Sequence, residues 1–173
     1  MVSICSDAPA FSAKASKASS VRVLAMNVTS LFSRLAAVCA MSFGVALVSE
    51  TSLTTRGQQI LTKKLQEAGH CVVWGSAVDG PGVSSSRGVA LLAGRGVQLL
   101  AVDLPEALHD HWRDGRIVAG QVRLQSETLT CLSCYAHAQD SDARENLLTR
   151  VVNWTLSLCG HVVLGGDFHT ALH

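Results

Sequence analysis

Several apolar runs in this sequence finish on a side chain that can meet a cation or a phosphate. Residues 21–26 run into Asn27, residues 45–49 run into Glu50, and residues 162–164 pass through Gly165 and Gly166 to Asp167. A hard cation such as Mg2+ takes one or two carboxylates and leaves its other positions to water and substrate phosphate, so one glutamate suffices. A carboxylate behind two glycines can come close to a bulky substrate and orient or deprotonate an attacking water. Asn27 offers a donor and an acceptor, and Tyr135, which closes the run 128–135, has a hydroxyl that can meet a phosphate oxygen. Taken singly, each of these is as readily a surface charge, a turn residue or a packing tyrosine. Their coincidence at four strand ends points to one polar site at the end of a sheet, suited to metal-assisted phosphoester chemistry.

The elements that must position these groups follow from periodicity. Alternation and short β-branched runs predict strands over 21–26, 44–49, 71–74, 88–93, 97–102, 117–124, 128–135 and 161–164. Leu31, Leu35 and Val38 share one face of a helix over 30–40. Ile60, Leu61, Leu65 and Ala68 do the same for a helix over 57–68, with Gly69 as its stop. A third helix starts at Asp140 or Ser141, turns Leu147, Leu148, Val151, Val152 and Leu158 inward, and stops at Gly160. Gly94, Arg95 and Gly96 read as the turn of a hairpin, residues 125–127 as the turn of a second, and residues 79–86 as a loop. Strand–helix units at the start, hairpins in the middle and a helix before the last strand indicate a mixed α/β (α+β) class, sheet packed on sheet with helices outside.

With 173 residues, 48% of them hydrophobic, the chain is long enough for one domain with a substantial core, expected over residues 21–173. Residues 1–20, rich in Ser and Ala with Lys14 and Lys17 against Asp7, read as a disordered or targeting-like tail. A net charge of +1 leaves any nucleic-acid role to a local patch, expected around Arg87, Arg113 and Arg116. The six cysteines are scattered through apolar runs and read as buried free thiols. Cys131 and Cys134 are not a zinc knuckle, because residues three apart on a strand face opposite ways. The longest apolar stretch, residues 35–48, is broken by Ser42 and Gly44, so no membrane span is expected. The sequons Asn27-Val28-Thr29 and Asn153-Trp154-Thr155 read as chance, and the expected location is intracellular, nuclear or cytoplasmic.

Six ordered segments (24–31, 48–51, 87–92, 115–118, 134–136 and 165–168) together resemble the endonuclease/exonuclease/phosphatase superfamily. Ser49-Glu50-Thr51 with Arg87-Gly88-Val89-Ala90-Leu91-Leu92 most resembles its non-LTR retrotransposon endonuclease branch. The resemblance implies a four-layer αββα sandwich and phosphodiester hydrolysis dependent on Mg2+, with Mn2+ as the alternative ion. It implies DNA as the partner, with no obligate protein partner. By position, Glu50 would bind the metal with support from Asn27, Tyr135 would contact the scissile phosphate, and Asp167 would align the nucleophilic water. Arg87 and Arg116 would hold substrate.

The chain departs from that pattern in three places. His169 stands where the family has Asn and, as an imidazole able to donate a hydrogen bond, is a third catalytic candidate beside Asp167 and Tyr135, while His137 stands where the family commonly has Pro. The family's closing Asp-His pair would fall beyond His173, so the resemblance covers about the first two thirds of such a domain. The pair at Asp110 and His111 lies in a polar loop, 108–111, before the last motif and in the wrong order, and reads as surface. Without the closing histidine a hydrolytic centre would run about a hundred- to a thousandfold slower. Two alternatives therefore stand beside the nuclease: a phosphatase or phosphodiesterase of the same superfamily, and a non-catalytic remnant.

Overall fold

The computed structural model describes residues 20–77, 87–124 and 127–169. The expected tail before residue 20, the loop 79–86, the centre of the turn at 125–126 and the end at His173 lie outside the described residues.

The strands form two sheets. The first contains β1 (Val23–Asn27), β2 (Val45–Ser49), β3 (Cys71–Trp74) and β4 (Val89–Ala93), in the order β1-β2-β4-β3. The second contains β5 (Leu99–Ala101), β6 (Ile117–Leu124), β7 (Glu127–Tyr135) and β8 (His161–Asp167), in sequence order. Both sheets are mixed: β1 with β2 and β7 with β8 are parallel pairs, and the other pairs are antiparallel. The helices are α1 (Leu31–Ala40), α2 (Thr55–Glu67), α3 (His109–Arg113) and α4 (Ser141–Ser157).

Period-two alternation sorts the side chains into layers. Val45, Leu47, Val89 and Leu91 of the first sheet meet Val118, Val122, Leu129 and Cys131 of the second. The intervening residues Ala46, Val48, Ala90 and Leu92 face the other way, beneath Leu31, Val38, Leu61 and Leu65 from α1 and α2. Ile117, Ala119, Leu132 and Cys134 likewise face Leu147 and Val151 of α4. This is a helix–sheet–sheet–helix sandwich, the architecture expected from the sequence. Each fully buried leucine in it contributes about 1.5–3 kcal/mol by leaving water. One polar tie crosses the middle: the buried Ser133 hydroxyl donates to the Val48 carbonyl at 2.9 Å.

Several expectations are corrected. The strands on either side of Gly94 and Gly96 form no hairpin: β4 pairs with β2 and β3, and β5 pairs with β6 in the other sheet. Strand β4 already has a neighbour on each side, so the chain has no edge to fold back on and crosses between sheets. A Cβ on Gly94 would run into the Phe43 carbonyl, and Arg95 turns back to donate to Ala68 O at 2.9 Å, closing the end of α2. That helix begins earlier than expected because the Thr54 hydroxyl accepts from Gly57 N. Ile60 and Val152, expected inside, are exposed, since each sits beside rather than on its helix's buried stripe. The stretch at 108–111 is not a loop: a 3-10 turn at Glu106–Leu108 leads into α3, and Leu108 is buried.

Cys131 and Cys134 do face opposite layers, and each thiol is pushed up by burial, to about 11 and about 12. Cys159, by contrast, is exposed. Among the described residues no helix is long and apolar enough to cross a membrane.

Candidate active site at the strand ends

Parallel pairing brings the expected residues together. Asn27 lies level with Ser49 across the β1–β2 pair, so Glu50 leaves the sheet one residue beyond it. Tyr135 lies level with Asp167 across the β7–β8 pair. Strand β8 runs to Asp167 rather than stopping at residue 164, as the sequence suggested. Its two glycines have separate reasons. A Cβ on Gly165 would press on Ala25 and Leu47 at 3.2 Å, where the two sheets come close. Gly166 has φ +147°, and a Cβ there would collide with the Cys134 carbonyl.

The side chains interlock. Asn27 Nδ2 donates to Asp167 Oδ2 at 2.9 Å, across the two sheets. The Tyr135 hydroxyl donates to Glu50 Oε1 at 2.9 Å. Thr29 Oγ1 lies 3.1 Å from Glu50 Oε2 and 3.4 Å from Asn27 Oδ1, and its backbone N–H donates to the same Asn27 oxygen at 3.2 Å. The His169 N–H donates to Asp167 Oδ1 at 3.1 Å, and the His169 ring stands edge-on to Tyr135 with centroids 5.3 Å apart. Burial, and then the hydrogen bond to Glu50, push the Tyr135 phenol up to about 12, so at neutral pH it is a neutral donor.

Backbone strain collects here. The non-glycine residues with positive φ among the described residues are Thr29, Ser30, Glu50, Ser52 and His169. Each lies within three residues of Asn27, Glu50 or Asp167. Such conformations cost about 1–3 kcal/mol apiece and persist where the surroundings over-determine them, typically at functional sites.

The arginines differ from expectation. Arg116 is buried rather than open to substrate. Its NH1 lies 3.3 Å from Ala136 O and 3.5 Å from Tyr135 O, and its guanidinium sits 5.0 Å from the Tyr135 ring centroid. Desolvation, then neighbouring Arg87, pulls its pKa down, partly offset by Asp114. It supports the tyrosine from beneath. Arg87 is half-exposed and pairs with Asp114 at 2.7 Å, while Arg113 pairs with Asp110 at 2.7 Å. The expected basic groove is therefore largely neutralised by these two aspartates. The His137 imidazole has its pKa lowered by burial and then by Arg116.

Sequence reasoning missed Thr29, whose spacing two residues after Asn27 is the signal of an Asx turn. That turn is the structural meaning of the Asn27-Val28-Thr29 sequon. It also missed Ser133, which nothing local marks.

A divalent cation fits this donor set. Glu50, Asp167 and His169 each bring one ligand atom within 4.8 Å of the others, two carboxylates from opposite sheets and one imidazole. The His169 Nε2 atom is buried with no hydrogen-bond partner.

No protein-family profile and no curated protein sequence matches the chain. Solved structures do. The 3′ phosphatase NExo from Neisseria, bound to product DNA hairpin, is 22% identical with a TM-score of 0.62, covering 88% of this chain and 59% of its own. The endonuclease domain of TRAS1, a telomere-specific non-LTR retrotransposon, is 18% identical with a TM-score of 0.58, covering 87% of this chain and 61% of its own. An endonuclease/exonuclease/phosphatase family protein from Leptotrichia buccalis is 15% identical with a TM-score of 0.57, covering 87% of this chain and 67% of its own. The chain thus spans 59% and 61% of the first two. Two mixed sheets in this order, flanked by helices, give this chain the fold of these solved structures, that of the endonuclease/exonuclease/phosphatase proteins.

Proposed function

We propose that the chain carries a divalent-cation-dependent phosphodiesterase centre acting on DNA, of the retrotransposon endonuclease type. The observation that carries this reading is the meeting of Glu50 and Asp167 from opposite sheets, each held by an uncharged donor, Tyr135 and Asn27. Glu50 would hold the ion, Mg2+ or Mn2+, with Asp167 beside it. When bound, such an ion polarises the phosphate and stabilises the leaving oxygen. Tyr135 keeps its proton at physiological pH and hydrogen-bonds through it to the Glu50 carboxylate, and a phosphate oxygen arriving at the site would compete for that one proton.

Asp167 is turned by Asn27 on one oxygen and by the His169 N–H on the other. Its remaining lone pairs are available to accept from an attacking water. DNA as the substrate, and the retrotransposon type, draw on the TRAS1 and NExo similarities and on the run Arg87-Gly88-Val89-Ala90-Leu91-Leu92.

The test is nicking of supercoiled plasmid with and without Mg2+ or Mn2+, by the wild-type chain and by Glu50→Gln. Cation-dependent nicking that falls about a hundredfold or more in the variant is the expected result. Nicking should also weaken steeply with salt. Equal behaviour of the two proteins sinks the catalytic assignment and leaves a non-catalytic remnant. Release of phosphate from a 3′-phosphorylated end, without nicking, would reassign the chain as a phosphatase.

A further inference from the structure

We infer that His169 is itself a ligand of the cation site, so that the site also takes a late first-row ion of the Zn2+ class through a nitrogen, beside the Mg2+ that its carboxylate oxygens would hold. The inference deepens the reading above and rests on its metal centre.

Three observations converge on it. The first is position: a His169 ring nitrogen lies within 4.8 Å of ligand oxygens from both Glu50 and Asp167. Zinc binds nitrogen and carboxylate oxygen at about 2.0–2.2 Å, so shifts of about 1 Å or less bring the three groups onto one ion. The second is that neither ring nitrogen has a close hydrogen bond among the described residues. Nε2 is buried without a partner, and Nδ1 is 3.5 Å from Asp167 Oδ1, beyond good hydrogen-bond length. A buried polar atom left unpaired is costly, and an imidazole with no close hydrogen bond on either nitrogen is free to present one of them to an ion. The third is the backbone. His169 holds φ +47°, a left-handed conformation uncommon among non-glycine residues, and its N–H is tied to Asp167. The same turn that orients the carboxylate therefore also returns the imidazole to the site.

Ligand chemistry gives the consequence. Imidazole suits Zn2+ and Fe2+, whereas Mg2+ dehydrates reluctantly and prefers carboxylate, carbonyl and water oxygens. Removing the nitrogen should thus weaken Zn2+ binding selectively, leaving Mg2+ to the carboxylates.

Calorimetric titration of the full chain with Zn2+ and, separately, with Mg2+ tests this, using wild type, His169→Asn and Glu50→Gln. Only the binding event removed by Glu50→Gln is assigned to the site. The expected result is that His169→Asn loses at least about tenfold in Zn2+ affinity, the lower bound for disturbing even an outer partner of a metal. Its Mg2+ affinity should change less than about twofold, which shows as well that the variant is folded. As a check without mutation, Zn2+ should shift the ring 15N resonances of one histidine in the wild-type chain, and should fail to shift them in Glu50→Gln.

Zn2+ binding unchanged in His169→Asn, with the Glu50→Gln loss intact, overturns the inference and leaves the proposed function standing. Binding of both ions unchanged in Glu50→Gln removes the metal centre, and the proposed function falls with it.

Discussion

Asn27 and Asp167 lie 140 positions apart, yet the carboxamide of one donates to the carboxylate of the other at 2.9 Å, joining the first strand of one sheet to the last strand of its partner. A hydrogen bond to a charged group is worth about 1.5–3 kcal/mol, and this one also sets which way Asp167 faces. Asn27→Ala should lower kcat/KM for plasmid nicking by about ten- to a hundredfold. Asn27→Asp should be worse near neutral pH, because a second carboxylate at that distance disfavours ionisation of the first. Steady-state nicking rates for the two variants check the order.

The two glycines before Asp167 should tolerate alanine very differently. Gly166→Ala meets the Cys134 carbonyl and a positive φ, and it should lose at least about 1–3 kcal/mol of stability together with the site geometry. Gly165→Ala presses on the Leu47 and Ala25 side chains at 3.2 Å, contacts that small shifts can relieve, and should lose less. Urea unfolding of the pair gives the comparison.

Tyr135 is the chain's one tyrosine, so phenolate absorbance reports it alone. Its folded pKa of about 12 lies above the ordinary 10, so the folded state holds this proton more tightly than the unfolded state. The stability it contributes is complete below pH 10 and is lost as pH rises from 10 through 12. The absorbance midpoint should lie near pH 12 while the chain is folded, and Glu50→Gln should lower it. A midpoint at the ordinary value would show that the phenol is not held as described.

Ser133→Ala removes the buried hydrogen bond to Val48 O and should cost about 1 kcal/mol. Denaturant unfolding checks it. A loss near zero would mean that the sheets pack without this tie.

The residues that could do chemistry were legible because each ends an apolar run, and strand length is a local property. Parallel β1–β2 and β7–β8 pairing then carried Asn27, Glu50, Tyr135 and Asp167 to one end, as their shared strand-end positions implied. The helix at 31–40 was likewise readable from Leu31 and Val38, whose period reports a buried face directly.

Other features had no local sign. Whether β5 folds back on β4 depends on whether β4 still has a free edge, and β2 and β3 occupy both. Arg116 looks like any surface arginine in sequence, and only the arrival of Tyr135 over it and Asp114 beside it turns it into a support. Thr29 and His169 were nearer to legible, each two residues from a site residue and tied to it by its own N–H, and only their positive φ had no local sign. The sequence by itself determined which groups stand at the ends of the strands. The tertiary structure decided which of them touch, because pairing, edge occupancy and burial depend on partners distant in sequence, 85 positions for Tyr135 and Glu50 and 140 for Asn27 and Asp167.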